Sequence, residues 1–234
     1  MFAWKRKKSS DAQAKSPSEN YYSLNELDKK LRKRISKRSG FYVEIGANDG
    51  VNQSNTLHFE KALGWKGVLI EPIPHRFLEC KKNRSKENRF FCNACVSDDY
   101  KDEFVKIVYS NLMSVAPELD LDLERPYEHA ATGRQFLDDH EVTFTFGAVA
   151  RTLTSILDEA DAPNFIDLFS LDVEGAELEV LKGVDFGRYT FGHLLVESRN
   201  INRLERFLNQ EEYRLVEALS EHDYLFMPAT ASGQ

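Results

Sequence analysis

Carboxylates recur where short apolar runs end. Glu44 sits inside FYVEIGANDG (Phe41–Gly50), just before a glycine turn, and Glu71 closes the run GVLIEP (Gly67–Pro72). Asp172 and Glu174 follow FIDLFSL (Phe165–Leu171), and Glu197 follows His193–Val196. Acids placed this way can accept both hydroxyl hydrogens of a ribose, take the proton of a reacting hydroxyl, or hold a divalent cation. The elements around them narrow the choice.

Phe41–Ile45 has the apolar, β-branched bias of a buried strand and stops at Gly46–Gly50, where small or αL-tolerant residues predominate. Gln53–Leu63 places Leu57, Ala62 and Leu63 near helical spacing, with Asn52, Ser54 or Asn55 as its N-cap. Gly67–Ile70 is a second strand ending in Glu71. Strand, glycine turn, helix, strand and acid make the first half of a nucleotide-binding βαβ unit. A dinucleotide fingerprint wants G-x-G-x-x-G so that a pyrophosphate can rest on the helix N-terminus. Here Asn48 holds the third loop position and Asp49 sets a negative charge where a diphosphate would lie, which disfavours an NAD-dependent dehydrogenase. A phosphate-free adenosine cofactor fits better, and S-adenosylmethionine is the expectation. Glycine turns also follow strands in α/β proteins that bind nothing there.

The remaining chain continues the alternation. Tyr21–Arg38 reads as a helix on the sheet edge, with Ser23 as N-cap and Glu26 completing a capping box. His75–Lys82 is a helix and Arg89–Val96 a strand, whose end places Ser97 and Asp98 to meet an adenine edge. Glu103–Tyr109 and Glu141–Val149 read as an extra strand pair. Between them, residues 110–140 carry ELDLDLE and little periodicity, as a lid or substrate-selecting insertion would. Thr152–Glu159 is a short helix capped by Thr152 or Thr154, Phe165–Leu171 a central strand, Ala176–Gly183 a helix, His193–Val196 the fifth strand and Asn202–Leu208 a helix. Tyr213–Ala218 and Tyr224–Met227 have hairpin spacing. The expectation is an α/β fold of the class I methyltransferase (Rossmann-like) type, with a seven-stranded, mostly parallel sheet in order 3-2-1-4-5-7-6, helices on both faces and an antiparallel C-terminal hairpin.

At 234 residues the chain suits one such domain, expected over 21–228, with a disordered basic leader at 1–20 and a tail at 229–234. Residues 1–40 hold twelve Lys/Arg and four Asp/Glu, a net +8, against nineteen and thirty-four, a net −15, in the rest. An acidic globular part repels a phosphate backbone, so nucleic acid is not expected as substrate, while the basic arm could touch an anionic membrane surface. No apolar run is long enough for a spanning helix, and Met1–Trp4 before Lys5–Lys8 lacks the apolar core of a signal peptide, so a cytoplasmic protein is expected. Cys92 and Cys95 are spaced C-x-x-C, but on one strand an odd separation sends the thiols to opposite faces; with Cys80 they read as core residues.

VEIGANDG (Val43–Gly50), SNT (Ser54–Thr56), GWKGVLIEP (Gly64–Pro72) and IDLFSLDVEGAELEVLKG (Ile166–Gly183) together resemble the FkbM-type S-adenosylmethionine-dependent methyltransferases over about residues 40–227. The resemblance implies O-methylation of hydroxyls on sugars, glycans or natural products. By position it places Glu44, Gly46, Asn48 and Gly50 around the methionine portion, Glu71 on the ribose and Asp98 near the adenine. The cofactor set is then Glu44, Gly46, Ala47, Asn48, Gly50, Ser54, Asn55, Glu71, Pro72, Ser97, Asp98 and Asp172. Many members carry Lys where this chain has Ser170.

Methyl transfer to oxygen needs alignment and a base, and Asp172 or Glu174 could be that base. In the alternative, Asp172 only meets the cofactor's ammonium group and Glu174 caps the following helix. Asp172 and Glu197, with Asn200 nearby, could instead hold Mg²⁺ on adjacent strand ends. Rival functions are methylation of a protein or nucleic-acid nitrogen, against which DVEG at 172–175 lacks the Asn/Asp-Pro-Pro-aromatic pattern, and a non-catalytic cofactor-binding module of the same fold.

Overall fold

Strands buried on both faces must be largely apolar, and the central runs of this chain meet that demand with Glu44 and Ser170 as the polar exceptions. The computed structural model describes residues 20–229. In chain order the strands are β1 (Phe41–Ile45), β2 (Lys66–Ile70), β3 (Arg89–Phe91), β4 (Ala94–Cys95), β5 (Phe104–Tyr109), β6 (Phe144–Arg151), β7 (Phe165–Ile166), β8 (Leu168–Leu171), β9 (Thr190–Phe191), β10 (Leu194–Glu197), β11 (Tyr213–Ala218) and β12 (Asp223–Pro228). The helices are α1 (Leu27–Arg32), α2 (Leu57–Leu63), α3 (Pro74–Asn83), α4 (Pro126–Thr132), α5 (Leu153–Glu159), α6 (Glu177–Leu181) and α7 (Ile201–Gln210).

Seven strands form the main sheet in the order β11-β12-β10-β8-β1-β2-β3. Counting only these strands, this is the order 3-2-1-4-5-7-6 read from the opposite edge, with β12 antiparallel to both β10 and β11. This is the class I methyltransferase topology. Alternation along β1 sends Val43 and Ile45 to one face, packed with Leu153, Ile156 and Leu157 of α5, Leu181 of α6 and Leu204 of α7. Tyr42 goes to the other, with Leu31 of α1, Phe59 of α2 and Cys80 of α3. Helices thus cover both faces, and the sheet's carboxyl ends are left to build a site.

Several local expectations are corrected. The helix expected over 21–38 is a 3-10 turn (Leu24–Glu26) and α1, because Asn25 and Glu26 adopt left-handed φ of 53° and 56°. The capping box is not formed by Glu26. Buried Asp28 takes that place, accepting from the Tyr22 and Ser23 amides and the Ser23 hydroxyl, while Glu26 pairs with Lys29. Helix α2 starts only at Leu57, since residues 54–56 turn inward to donate to Glu44. The strand expected over 165–171 is split at Asp167, whose carboxylate accepts from the Phe41 amide and from Lys37.

The strand expected over 89–96 is split at Cys92-Asn93. β3 stays in the main sheet, whereas β4 joins β6 and β5 in a separate three-stranded sheet. Cys92 and Cys95 therefore do not share a strand. Cys80 and Cys95 are buried, Cys92 is half-buried and all three are free; burial pushes the Cys95 thiol up to about 12. Residues 1–19 and 230–234, which make up nearly all of the expected leader (1–20) and tail (229–234), lie outside the described residues. Among the described residues, no helix is long and apolar enough to cross a membrane.

Candidate active site

A cavity, open at its mouth, lies over the carboxyl ends of β1, β2 and β8. That is where a doubly wound sheet offers its ligand crevice. Of the residues anticipated from sequence, Glu44, Gly46, Ala47, Asn48, Ser54, Asn55, Glu71, Pro72, Asp172 and Glu174 all line it.

The turn after β1 is shaped by what crowds it. Gly46 has φ of 81°, and a Cβ there would stand 1.9 Å from the Asp172 carbonyl oxygen, so only glycine lets the loops after β1 and β8 meet. Asn48 follows in the left-handed region, and its amide donates to Glu71 Oε2 at 2.7 Å. The other Glu71 oxygen accepts from the Ile73 amide at 2.9 Å. Burial outweighs these two bonds and the nearby Arg76, and raises the Glu71 carboxyl to about 7. The side-chain oxygens of Asn48 and Asn55 are buried without a partner in a cavity wall. Unpaired buried acceptors are costly, and donors on a ligand would satisfy both.

Glu44 behaves differently. Its oxygens accept from Ser54 Oγ, the Asn55 amide, Thr56 Oγ1 and Arg84, so its main task is to hold the walls in place. Gly50 forms the far side of the turn outside the cavity. Ser97 and Asp98 do not line this cavity. With β3 ending at Phe91, the third strand's end lies near Asn93, which lines the cavity. Ser97 instead bonds to Asp99 and Glu179, and exposed Asp98 faces a separate shallow depression. The polar Asn93 interrupting RFFCNAC was the available signal for that strand end.

At the mouth of β8, Asp172, Glu174 and Glu197 place carboxylate oxygens within 4.8 Å of one another. Asp172 is exposed on the cavity side, yet the protein packed around its carboxylate, together with Glu197 and then Glu174 and Glu177, holds its carboxyl well above the usual range. Glu174 does not cap α6, whose N-cap is Ala176 with no side-chain cap bond; Glu177, the first residue of α6, reaches back to accept from the Val173 and Gly175 amides of the preceding loop. Glu174 meets His129 Nε2 at 2.6 Å and Arg199 at 3.4 Å. The three acids could hold a divalent cation, although Arg199 already places a positive charge beside two of them. Asn200 is engaged elsewhere, accepting from the Arg203 amide as the cap of α7.

Residues 110–140 supply the opposite wall. Asn111, Leu112, Val115, Ala116 and Leu119 line the cavity. The segment is fastened beyond them: Arg203 pairs with Asp120 and Asp122, the Asp122 amide donates to the Gly175 carbonyl, and α4 carries His129 to Glu174. Nothing in the local sequence marked His129, Arg199 or Arg203, because each acts across a long sequence separation.

A family model for the methyltransferase FkbM domain matches residues 44–226. No curated protein sequence matches the chain significantly. Among solved structures, the chain is similar to a Pyrococcus horikoshii protein described as a putative RNA methyltransferase, at 10% identity and a TM-score of 0.42, over 89% of this chain and 82% of that one. So distant a likeness says nothing about substrate.

Proposed function

From the premise that the chain belongs to the FkbM methyltransferase family, we propose that it transfers a methyl group from S-adenosylmethionine to a hydroxyl oxygen of a sugar, glycan or natural-product acceptor. The observation that carries this reading is Glu71: a carboxylate at the end of β2, bordering the cavity, fixed by two backbone amides and still offering lone pairs to a ribose. The glycine turn and the unpartnered oxygens of Asn48 and Asn55 suit the methionine portion, whose ammonium group brings donors. Asn93 takes the place first given to Ser97 and Asp98, beside the adenine.

When bound, the cofactor supplies an electrophilic methyl group on sulfur. Everything else falls to the chain. Asp172, whose proton affinity is raised by the protein packed around its carboxylate and by Glu197, is suited in its ionised form to receive the acceptor's hydroxyl proton, a contribution of roughly 100- to 10,000-fold. Glu174, held by His129 and Arg199, orients the acceptor beside it. The wall at 111–119 covers one side of the cavity. The absence of an Asn/Asp-Pro-Pro-aromatic pattern at 172–175 argues against nitrogen methylation. A cytoplasmic setting belongs to this proposal, and the positive charge of the N-terminal sequence suits contact with an anionic membrane surface. A labelled-methyl transfer screen over glycans, small hydroxylated molecules, proteins and RNA tests it. Label in the first two classes supports it, and label confined to protein or RNA overturns it.

A further inference from the structure

We propose that Arg84, just past α3, is the positioning residue that sets the shape of the cofactor turn, an inference that rests on the cavity being the cofactor site. Its side chain is fully buried and is not part of the cavity wall. Its guanidinium nevertheless grips the turn from both flanks. Nη1 donates to Glu44 Oε2 at 3.0 Å, to the Gly50 carbonyl at 3.1 Å and to Ser54 Oγ at 3.1 Å. Nη2 donates to Thr56 Oγ1 and to the Tyr42 hydroxyl, both at 2.8 Å, and Nε to Glu60 Oε2 at 2.8 Å.

The cavity-lining residues Gly46–Asn48 and Asn52–Asn55 hang between these holds. The arginine stem is also packed against the turn, since a Cβ on Gly50 would come 2.8 Å from Arg84 Cγ. A planar fork with five donors can hold a strand end, a carbonyl and a second turn at once, whereas a lysine ammonium cannot reproduce that geometry. A buried cation between two carboxylates could serve stability alone. The contacts to Gly50, Ser54 and Thr56 are what tie it to the turn.

The test uses R84K and, because that variant could fail to fold, T56V, which removes Arg84's hold on Thr56 together with the Thr56 bond to Glu44 and leaves both ion pairs. Donor and thioether affinity by calorimetry, donor and acceptor KM, and amide hydrogen exchange over residues 46–56 without ligand are compared with wild type. The expected result is faster exchange confined to 46–56, affinity weakened about tenfold in R84K and less in T56V, and a raised donor KM with acceptor KM unchanged. Folded variants with wild-type affinity and exchange overturn this inference alone. A wild-type protein that binds neither donor nor thioether overturns the cofactor reading, and this inference with it.

Discussion

His129 Nε2 lies 2.6 Å from Glu174 Oε2, so a helix of the 110–140 insertion touches the loop after β8, 45 residues away in the chain. The cavity wall and the acidic mouth are thereby one assembly. Glu174 holds a left-handed φ of 54°, a conformation that a residue without a Cβ would adopt more readily, and the contact helps to keep it there. His129→Ala is expected to lower turnover ~10- to 100-fold through misplacement of Glu174, leaving donor affinity unchanged. Steady-state kinetics beside calorimetry separates the two effects.

Asp172→Asn preserves shape and removes the proton acceptor. Turnover is expected to fall ~100- to 10,000-fold while donor binding stays within a few-fold of wild type. Retained methylation in this variant would remove Asp172 from the role.

Glu71 ties cofactor affinity to pH. Its carboxyl titrates at about 7 in the fold against 4.5 when unperturbed, and only the ionised form accepts hydrogens from both ribose hydroxyls. Donor affinity should therefore rise as pH increases through about 7 and flatten in Glu71→Gln, with affinity above that pH weakened ~10- to 100-fold. Stability runs the other way. The native state binds the extra proton between 4.5 and about 7, so this group's contribution without ligand declines as pH rises across that window. Denaturant titrations of wild type and Glu71→Gln at several pH values measure the difference.

Arg203 pairs with Asp120 and Asp122 at a partly exposed site, where such pairs contribute no more than about 1 kcal/mol. Arg203→Ala should leave global unfolding nearly unchanged and speed hydrogen exchange across residues 117–133.

With Arg199 beside Glu174 and Glu197, the acidic mouth already carries a compensating charge. Turnover is accordingly expected to survive EDTA. A loss restored by Mg²⁺ would assign the three carboxylates to a metal instead.

The sheet was legible in sequence because parallel strands buried on both faces form nearly continuous apolar runs, and the glycine turn because Gly46 meets a neighbouring backbone. What escaped depends on partners far along the chain. Asp28 displaced Glu26 as the capping acid through a local left-handed pair, and the β3–β4 break required β6 to draw Ala94-Cys95 into another sheet. Nothing in the polar stretch KKNRSKEN at 81–88 marked Arg84, yet it is buried between Glu44 and Glu60. His129 lay in a segment whose weak periodicity gave no face to assign.

Calorimetric titration of the folded wild-type protein with S-adenosylhomocysteine, the spent form of the donor, tests the occupant of the cavity most directly. The expected result is saturable one-to-one binding that S-adenosylmethionine competes away and that NAD does not. No heat of binding from a protein shown to be folded would contradict the assignment of Glu71 and the glycine turn to an adenosine cofactor.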